Sequence, residues 1–293
     1  MRIAIFGKAV SPSDAEALRE AFQRVLHLDA SPWISQAYLS ELNDHMTVPE
    51  VFRAFDGEVP EGTKLMLAFG GDGTVLEAAT LVRQGTVPIL GVNTGRLGFL
   101  SNVSMEEFDL AMDALVAGTT WTEERALLEV HVDGHPLSLG EFPFALNEVA
   151  IHKRDTASMV VVDVHQGDNF VNTYWADGLL VSTPTGSTAY SLSAGGPIVH
   201  PSADVAIVTP VAPHNLNDRP LVVPLDQEIT LMADGRDAQF LLSLDSRSFP
   251  LDPKQEVRIR RAGFSITLIN LEHQNFFSTV RQKMHWGLDP RER

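Results

Sequence analysis

A chain of 293 residues, 44% hydrophobic and 20% charged, is long enough for two domains and a substantial core. Its formal net charge of −16 argues against nucleic acid as a partner, because sequence-independent binding needs a basic surface. The absence of cysteine excludes disulfides, thiolate catalysis and zinc–cysteine sites, and no apolar run approaches the roughly 20 residues of a membrane-spanning helix.

Residues 1–6 read as a first strand rather than as a signal peptide, so a cytoplasmic protein with no membrane partner is expected. Residues 13–26 read as a helix opened by Ser13. The stretch 33–62 gives no clear periodicity. Residues 65–69 and 87–92 read as strands, with a helix over 75–84 between them and another over 105–117 after Ser104, a plausible N-cap. This alternation predicts an α/β domain over 1–125, with a parallel sheet and covering helices. From about Leu127 the texture changes to short alternating or β-branched runs at 128–132, 158–165, 179–182, 205–209, 228–233, 238–244, 256–259 and 264–269. Asp133-Gly134, Gly167-Asp168 and Asp234-Gly235 supply turns. Such a pattern predicts an all-β, sandwich-like domain over 126–270. The tail, with Phe276, Phe277, Val280 and Met284 near helical spacing, reads as a helix that packs back on the first domain within 271–293.

Four segments carry chemistry. The first, Gly70-Gly71-Asp72-Gly73-Thr74, joins a strand to a helix, which is a phosphate-binding arrangement. Thr74 and Glu77 have capping-box spacing. A carboxylate in such a turn repels phosphate, so Asp72 needs a reason: a cation on the phosphates, or a substrate hydroxyl whose proton it accepts. The Walker lysine is absent, and Leu76 stands where a dinucleotide fingerprint has its last glycine. The second segment, residues 91–100, is another glycine-bearing loop after a strand. The third is Asn147-Glu148. The fourth runs from Trp175 and Asp177 through a hydroxyl-rich loop, Thr183, Thr185, Ser187, Thr188, Tyr190 and Ser191, to Gly195-Gly196-Pro197. Hydroxyls and open N–H groups suit ribose, phosphate or base edges. The ten histidines show no helical metal-ligand spacing, and no serine sits in G-x-S-x-G.

In their order these segments resemble the NAD kinase family: Gly-Gly-Asp-Gly-Thr at 70–74, Asn-Thr-Gly-Arg-Leu-Gly-Phe-Leu at 93–100, Asn-Glu at 147–148, Asp-Gly-Leu-Leu-Val-Ser-Thr-Pro-Thr-Gly-Ser-Thr-Ala-Tyr at 177–190 and Gly-Gly-Pro at 195–197. Pro213-His214 and Arg219-Pro220-Leu221 fit a later loop of that family. The resemblance implies a Rossmann-like, phosphofructokinase-like first domain and an all-β, NAD-binding second domain. It implies transfer of the γ-phosphoryl group of ATP to the 2′-hydroxyl of the adenosine ribose of NAD, with a divalent cation such as Mg²⁺, and a homodimer or homotetramer. By the same resemblance Asp72 is the catalytic carboxylate, and Gly70, Gly71, Gly73 and Thr74 form the phosphate loop. Asn147 and Glu148 hold the adenosine end of NAD, and Asp177 reaches its nicotinamide end. Thr188, Ala189, Tyr190, Ser191, Leu192 and Ser193 line the dinucleotide site, and Ala212 lies at its edge. No side chain is assigned to the metal. Two departures stand out. Asp245-Ser246-Arg247 replaces the family's Asp-Gly-Gln, which leaves Arg247 open to a phosphate. Trp175 replaces a residue frequently basic in relatives, and core packing is expected of it. A lipid kinase sharing Gly-Gly-Asp-Gly-Thr, or a non-catalytic NAD sensor, is the alternative.

Overall fold

Apolar runs with no polar interruption, at residues 3–6, 65–69 and 89–92, make the central strands of the first unit, because both faces of its sheet are covered there. The computed structural model describes residues 1–28, 30–83, 87–136, 142–154, 158–235 and 239–286. The chain divides into two units, residues 1–124 with 266 onward, and residues 125–265.

The first unit runs β1 (Arg2–Gly7), α1 (Ala15–Leu26), β2 (Ser31–Ser35), α2 (Gln36–Asn43), β3 (Arg53–Phe55), β4 (Leu65–Phe69), α3 (Asp72–Val82), β5 (Ile89–Asn93), β6 (Val103–Ser104) and α4 (Phe108–Ala117). The sheet order is β3-β2-β1-β4-β5, with β6 beside β5, and every pair is parallel. All five residues of β4 and of β5 are buried. The order turns back at β1, between β2 and β4. Open α/β sheets bind ligands at such a point, outside the carboxyl ends of the strands. Phe22 of α1 packs on Phe52 and Phe69, and Phe69 on Phe108, with ring centroids 5.1, 5.9 and 5.6 Å apart.

Local signals moved two helix starts. α3 begins at Asp72, three residues before the expected Val75, because Gly71 is extended and admits the helix at once. Thr74 is therefore inside the helix and forms no capping box; Glu77 pairs with Lys8 instead. α4 begins at Phe108 rather than 105. Ser104 closes the preceding turn with Glu107, through amide bonds of 3.2 and 3.3 Å in both directions. The stretch 33–62 contains most of β2, and α2 and β3.

The second unit contains most of β7 (Trp121–Val132), then β8 (His135–Pro136), β9 (Phe144–Ala145), β10 (Glu148–His152), β11 (Val160–Gln166), β12 (Asn169–Ala176), β13 (Gly178–Ser182), a 3-10 turn at Gly186–Thr188, and the one-turn helix α5 (Tyr190–Ser193). β14 (Val205–Val211), β15 (Leu221–Pro224), β16 (Ile229–Gly235), β17 (Phe240–Leu244), β18 (Arg247–Leu251) and β19 (Glu256–Asn270) follow. Within this unit β12-β11-β16-β19 form one antiparallel row and β15-β14-β13-β10-β17-β18 another. Val160, Val162 and Leu231 of the first row and Val149, Leu179, Val208 and Leu242 of the second share one buried cluster. The sandwich-like expectation holds for these strands.

The runs at 256–259 and 264–269 are one strand of 15 residues, β19, since the polar stretch between them stays extended. Ala238 and Gln84, expected ends of a strand and a helix, lie outside the described residues. Trp175 is exposed on β12, between the buried Tyr174 and Ala176, so it does not pack in the core. After β19, helix α6 (Phe276–Met284) is capped by Asn275 and Ser278, whose side chains each bond the other's backbone amide, at 2.9 and 3.2 Å. Ile269 and Leu271 join the buried cluster of the first unit.

Candidate active site

Strand β4 delivers Gly70 at its carboxyl end. Gly70 has φ +146°, and a Cβ there would lie 2.2 Å from Thr74 Oγ1, so only glycine fits. A Cβ on Gly71 or Gly73 would meet nothing within 4 Å, and both residues are exposed. The fold does not demand glycine at these two positions, whereas close approach of a ligand to the backbone would. The amides of Thr74 and Val75 are taken by Gly71 O at 2.9 and 3.3 Å, so an anion at the start of α3 would be offered those of Asp72 and Gly73.

Asp72, the first residue of α3, is bound to the second glycine loop. Its Oδ2 accepts from the Phe99 amide at 2.9 Å. Its Oδ1 accepts from the amides of Leu100 and Ser101 at 2.9 and 3.0 Å and from Ser101 Oγ at 3.1 Å. Gly98 makes room for this: a Cβ there would stand 1.8 Å from Asp72 Oδ1. Asn93, at the end of β5, shapes the same loop. Its Oδ1 accepts from the Gly95 amide at 2.7 Å, and its Nδ2 donates to Arg96 O at 2.6 Å and to Ser101 Oγ at 2.9 Å.

The second unit gathers another set. Asp245, in the tight β17–β18 turn with φ +51°, accepts from the amides of Leu146, Asn147 and Glu148 at 2.9, 2.8 and 3.2 Å. Burial pushes the Asp245 carboxyl up, while these amides and Arg247 pull it down. Glu148 is half-buried nearby, and its buried Oε2 has no hydrogen-bond partner. Burial, then the Asp245 charge, pushes Glu148 up to about 8, against the opposing pull of the Tyr190 amide. Two carboxyls this close resist ionising together, and of the two Asp245 has the better donors.

Tyr190, first residue of α5, stacks on His152 with centroids 5.7 Å apart. Its hydroxyl is pushed up by burial, then by the charges of Glu148 and Asp177. Asp177 pairs with Lys153 at 2.6 Å, and its amide bonds Val211 O at 2.9 Å, which brings Ala212 alongside. Ala212 holds a left-handed φ of +46°.

The hydroxyl-rich loop behaves differently from its sequence reading. Thr183 Oγ1 donates to Leu146 O at 2.6 Å, Ser187 Oγ to Pro184 O at 2.6 Å, and Thr188 Oγ1 to Thr185 O at 3.1 Å. Arg125 Nη1 donates to Thr185 Oγ1 at 3.4 Å, and Ser191 Oγ pairs with Thr209 Oγ1 at 3.0 Å. These hydroxyls pin the loop against Asn147, whose carbonyl would be 2.1 Å from a Cβ on Gly186. Thr188, Ala189, Tyr190, Leu192 and Ser193 are the reachable members, and Ser191 is buried. Arg247 donates to the carbonyls of Phe142 and Phe144 and lies over the Phe142 ring, which occupies it structurally. Among the described residues no three His, Asp or Glu side chains are gathered as a metal cage.

Sequence reading missed Asp245, Gly98, Asn93 and Ser101. Gly98 and Asn93 sit inside the quoted second loop, so the motif flagged them without a role. Asp245 reaches Asn147 across 98 residues and carries no local signal.

Comparison with known proteins places the chain in a family. The family model described as the ATP-NAD kinase N-terminal domain matches residues 15–120, and that of the ATP-NAD kinase C-terminal domain matches residues 146–271. The chain is 44% identical over 255 residues to an NAD kinase of Cytophaga hutchinsonii, covering 87% of this chain and 86% of that one. It is 38% identical over 293 residues to an NAD kinase of Flavobacterium johnsoniae, covering 99% and 100%. The crystal structure of an NAD kinase from Archaeoglobus fulgidus in complex with ATP aligns at TM-score 0.74 and 26% identity, covering 96% of this chain and 99% of that one. Yeast NADH kinase complexed with NADH shares the fold at TM-score 0.85 and 24% identity, over 99% of this chain and 89% of that one. The chain belongs to the NAD kinase family.

Proposed function

We propose that this chain is an ATP-dependent NAD kinase that phosphorylates the 2′-hydroxyl of the adenosine ribose of NAD, giving NADP and ADP. The observation that carries the reading is Asp72 at the start of α3, flanked by glycines whose Cβ positions are open, in a chain of this family. The relative from Archaeoglobus fulgidus with ATP supports the donor, and the yeast relative with NADH supports a dinucleotide acceptor.

A ribose hydroxyl is a weak nucleophile, and catalysis of its phosphorylation rests on positioning and charge. In this reading Gly70, Gly71, Gly73 and Thr74 present the phosphates to the helix N-terminus. A divalent cation such as Mg²⁺, bound with the donor, would supply neutralisation of phosphate charge. Asp72 orients the 2′-hydroxyl and takes its proton as the bond from the 2′-oxygen to the γ-phosphorus forms and the bond to ADP breaks. Oδ2 carries only the Phe99 amide, so it retains an acceptor position for that hydroxyl. In the second unit Asn147 and Glu148 serve the adenosine end. A protonated Glu148 donates as well as accepts. Asp177 accepts from the nicotinamide amide, and Thr188, Ala189, Tyr190, Leu192, Ser193 and Ala212 line the dinucleotide, with Ser191 bracing them from beneath. The same reading takes the protein as a cytoplasmic homodimer or homotetramer, which light scattering checks for the assembly.

The test is incubation of the purified chain with NAD, ATP and MgCl₂, reading NADP. Labelled lipid as product would make it a lipid kinase. No product with any donor or metal would leave a binding module. Asp72→Asn should fold and lose on the order of 10²–10⁴ in turnover; near-normal turnover overturns the role of Asp72.

A further inference from the structure

We infer that Asn93 and Ser101 are positioning residues that aim Asp72, their hydrogen-bond relay adding a third donor to Oδ1 and so leaving Oδ2 to meet the acceptor hydroxyl. The inference rests on the reading of Asp72 as the catalytic carboxylate.

The relay has a direction. A serine hydroxyl has one proton to give. Asn93 Nδ2 donates to Ser101 Oγ at 2.9 Å, so the Ser101 oxygen is the acceptor there and its proton goes elsewhere. Asp72 Oδ1 receives it, at 3.1 Å. The Asn93 amide cannot turn over without loss. Its Oδ1 takes the Gly95 amide and its Nδ2 serves Arg96 O, and a flip would set donor on donor and acceptor on acceptor. Asn93 therefore fixes the Ser101 proton, and the Ser101 proton fixes Asp72.

The consequence falls on the two oxygens unequally. Oδ1 carries three donors, from Leu100 N, Ser101 N and Ser101 Oγ, while Oδ2 carries one, from Phe99 N. Oδ1 is filled, and Oδ2 is left as the atom with an open lone pair. Asn93 is 3% exposed and Ser101 is fully buried, so neither can touch substrate. They act on turnover through Asp72 alone.

The test uses the full chain with steady-state kinetics for NAD at saturating MgATP, and thermal midpoints for each variant. Ser101→Ala keeps the backbone donor and should lower kcat about ten- to a hundredfold through misplacement, with KM for NAD within about twofold of the parent. Asn93→Ala should lower kcat in the same sense. The double variant should lose clearly less than the product of the two single losses, because the bond from Asn93 to Ser101 is shared by both, while the bonds of Asn93 to Gly95 and Arg96 add a part of their own. A merely structural role would instead lower thermal midpoints and leave the kcat of the folded fraction unchanged. Ser101→Ala with parental kcat, alongside an inactive Asp72→Asn, overturns the inference and spares the Asp72 reading. Losses that multiply in the double variant also overturn the relay. An active Asp72→Asn removes the reading itself, and the inference with it.

Discussion

In the first unit the Asp72 carboxylate accepts from the amides of Phe99, Leu100 and Ser101; in the second, Asp245 accepts from those of Leu146, Asn147 and Glu148. Each aspartate thus ties three consecutive residues of a distant loop. Asp72 is half-buried at a helix start, with one oxygen lightly used. Asp245 sits in the β17–β18 turn with both oxygens taken by amides, and its charge adds to the burial that pushes its neighbour Glu148 up to about 8. The difference teaches that amide-gathering alone does not make a carboxylate reactive. An oxygen with a lone pair to spare can serve chemistry; one filled by amides is left to hold its loop and to add its charge to what burial does beside it.

The comparison can be broken most severely at Gly98. Gly98→Ala sets a methyl group 1.8 Å from Asp72 Oδ1, so carboxylate or loop must move. We expect NADP formation to fall by about a hundredfold or more, as for a misplaced catalytic group, with roughly 1–3 kcal/mol of stability lost to overpacking. Initial rates and denaturant melts read the two effects. Next is Asp245→Asn, which sets an amide group where a carboxylate collects three N–H donors. It should cost about 1–3 kcal/mol and let Glu148 return toward its ordinary range, followed by carbon NMR of the Glu148 carboxyl. Glu148→Gln sharpens the contrast with the smallest effect. The folded Glu148 titrates near 8 against an ordinary 4.5, so between those values the folded state holds a proton that the unfolded chain releases. Its contribution to stability is complete below the lower value and is lost as pH rises through the higher one. Parental melts should therefore fall from pH 5 to 9 more steeply than those of Glu148→Gln; parallel curves would mean Glu148 is ionised throughout.

Where the sequence was legible, one face or one turn carried the whole signal. Residues 65–69 are uniformly apolar and form β4 with the expected bounds. Residues 70–74 announce a strand-to-helix turn by glycine alone. β18 was not seen because Pro250 lies inside it, which is tolerated on an edge strand that needs few ladder bonds. β12 went unread because only one arm of its hairpin is regularly apolar, and its solvent face exposes Phe170 and Trp175. The candidate site was legible as segments but not as a mechanism of support. The hydroxyls of Thr183, Thr185 and Ser187 are polar in the sequence and structural in the fold, because burial turns them onto carbonyls and Arg125. The long-range ties of Asp72 and Asp245 depend on loops 27 and 98 residues away, which no local window contains.

Ile269 and Leu271 complete the buried cluster of the first unit, although the whole second unit, residues 125–265, separates them from α4. On a ribosome the second unit is therefore whole before the first can close. At about 5–20 residues per second, the apolar faces of β1, β4 and β5 wait roughly 7–30 s for their last partners. During that interval the nascent chain carries an unfinished sheet whose strands are its most apolar, and this is when a holding chaperone would have most to cover.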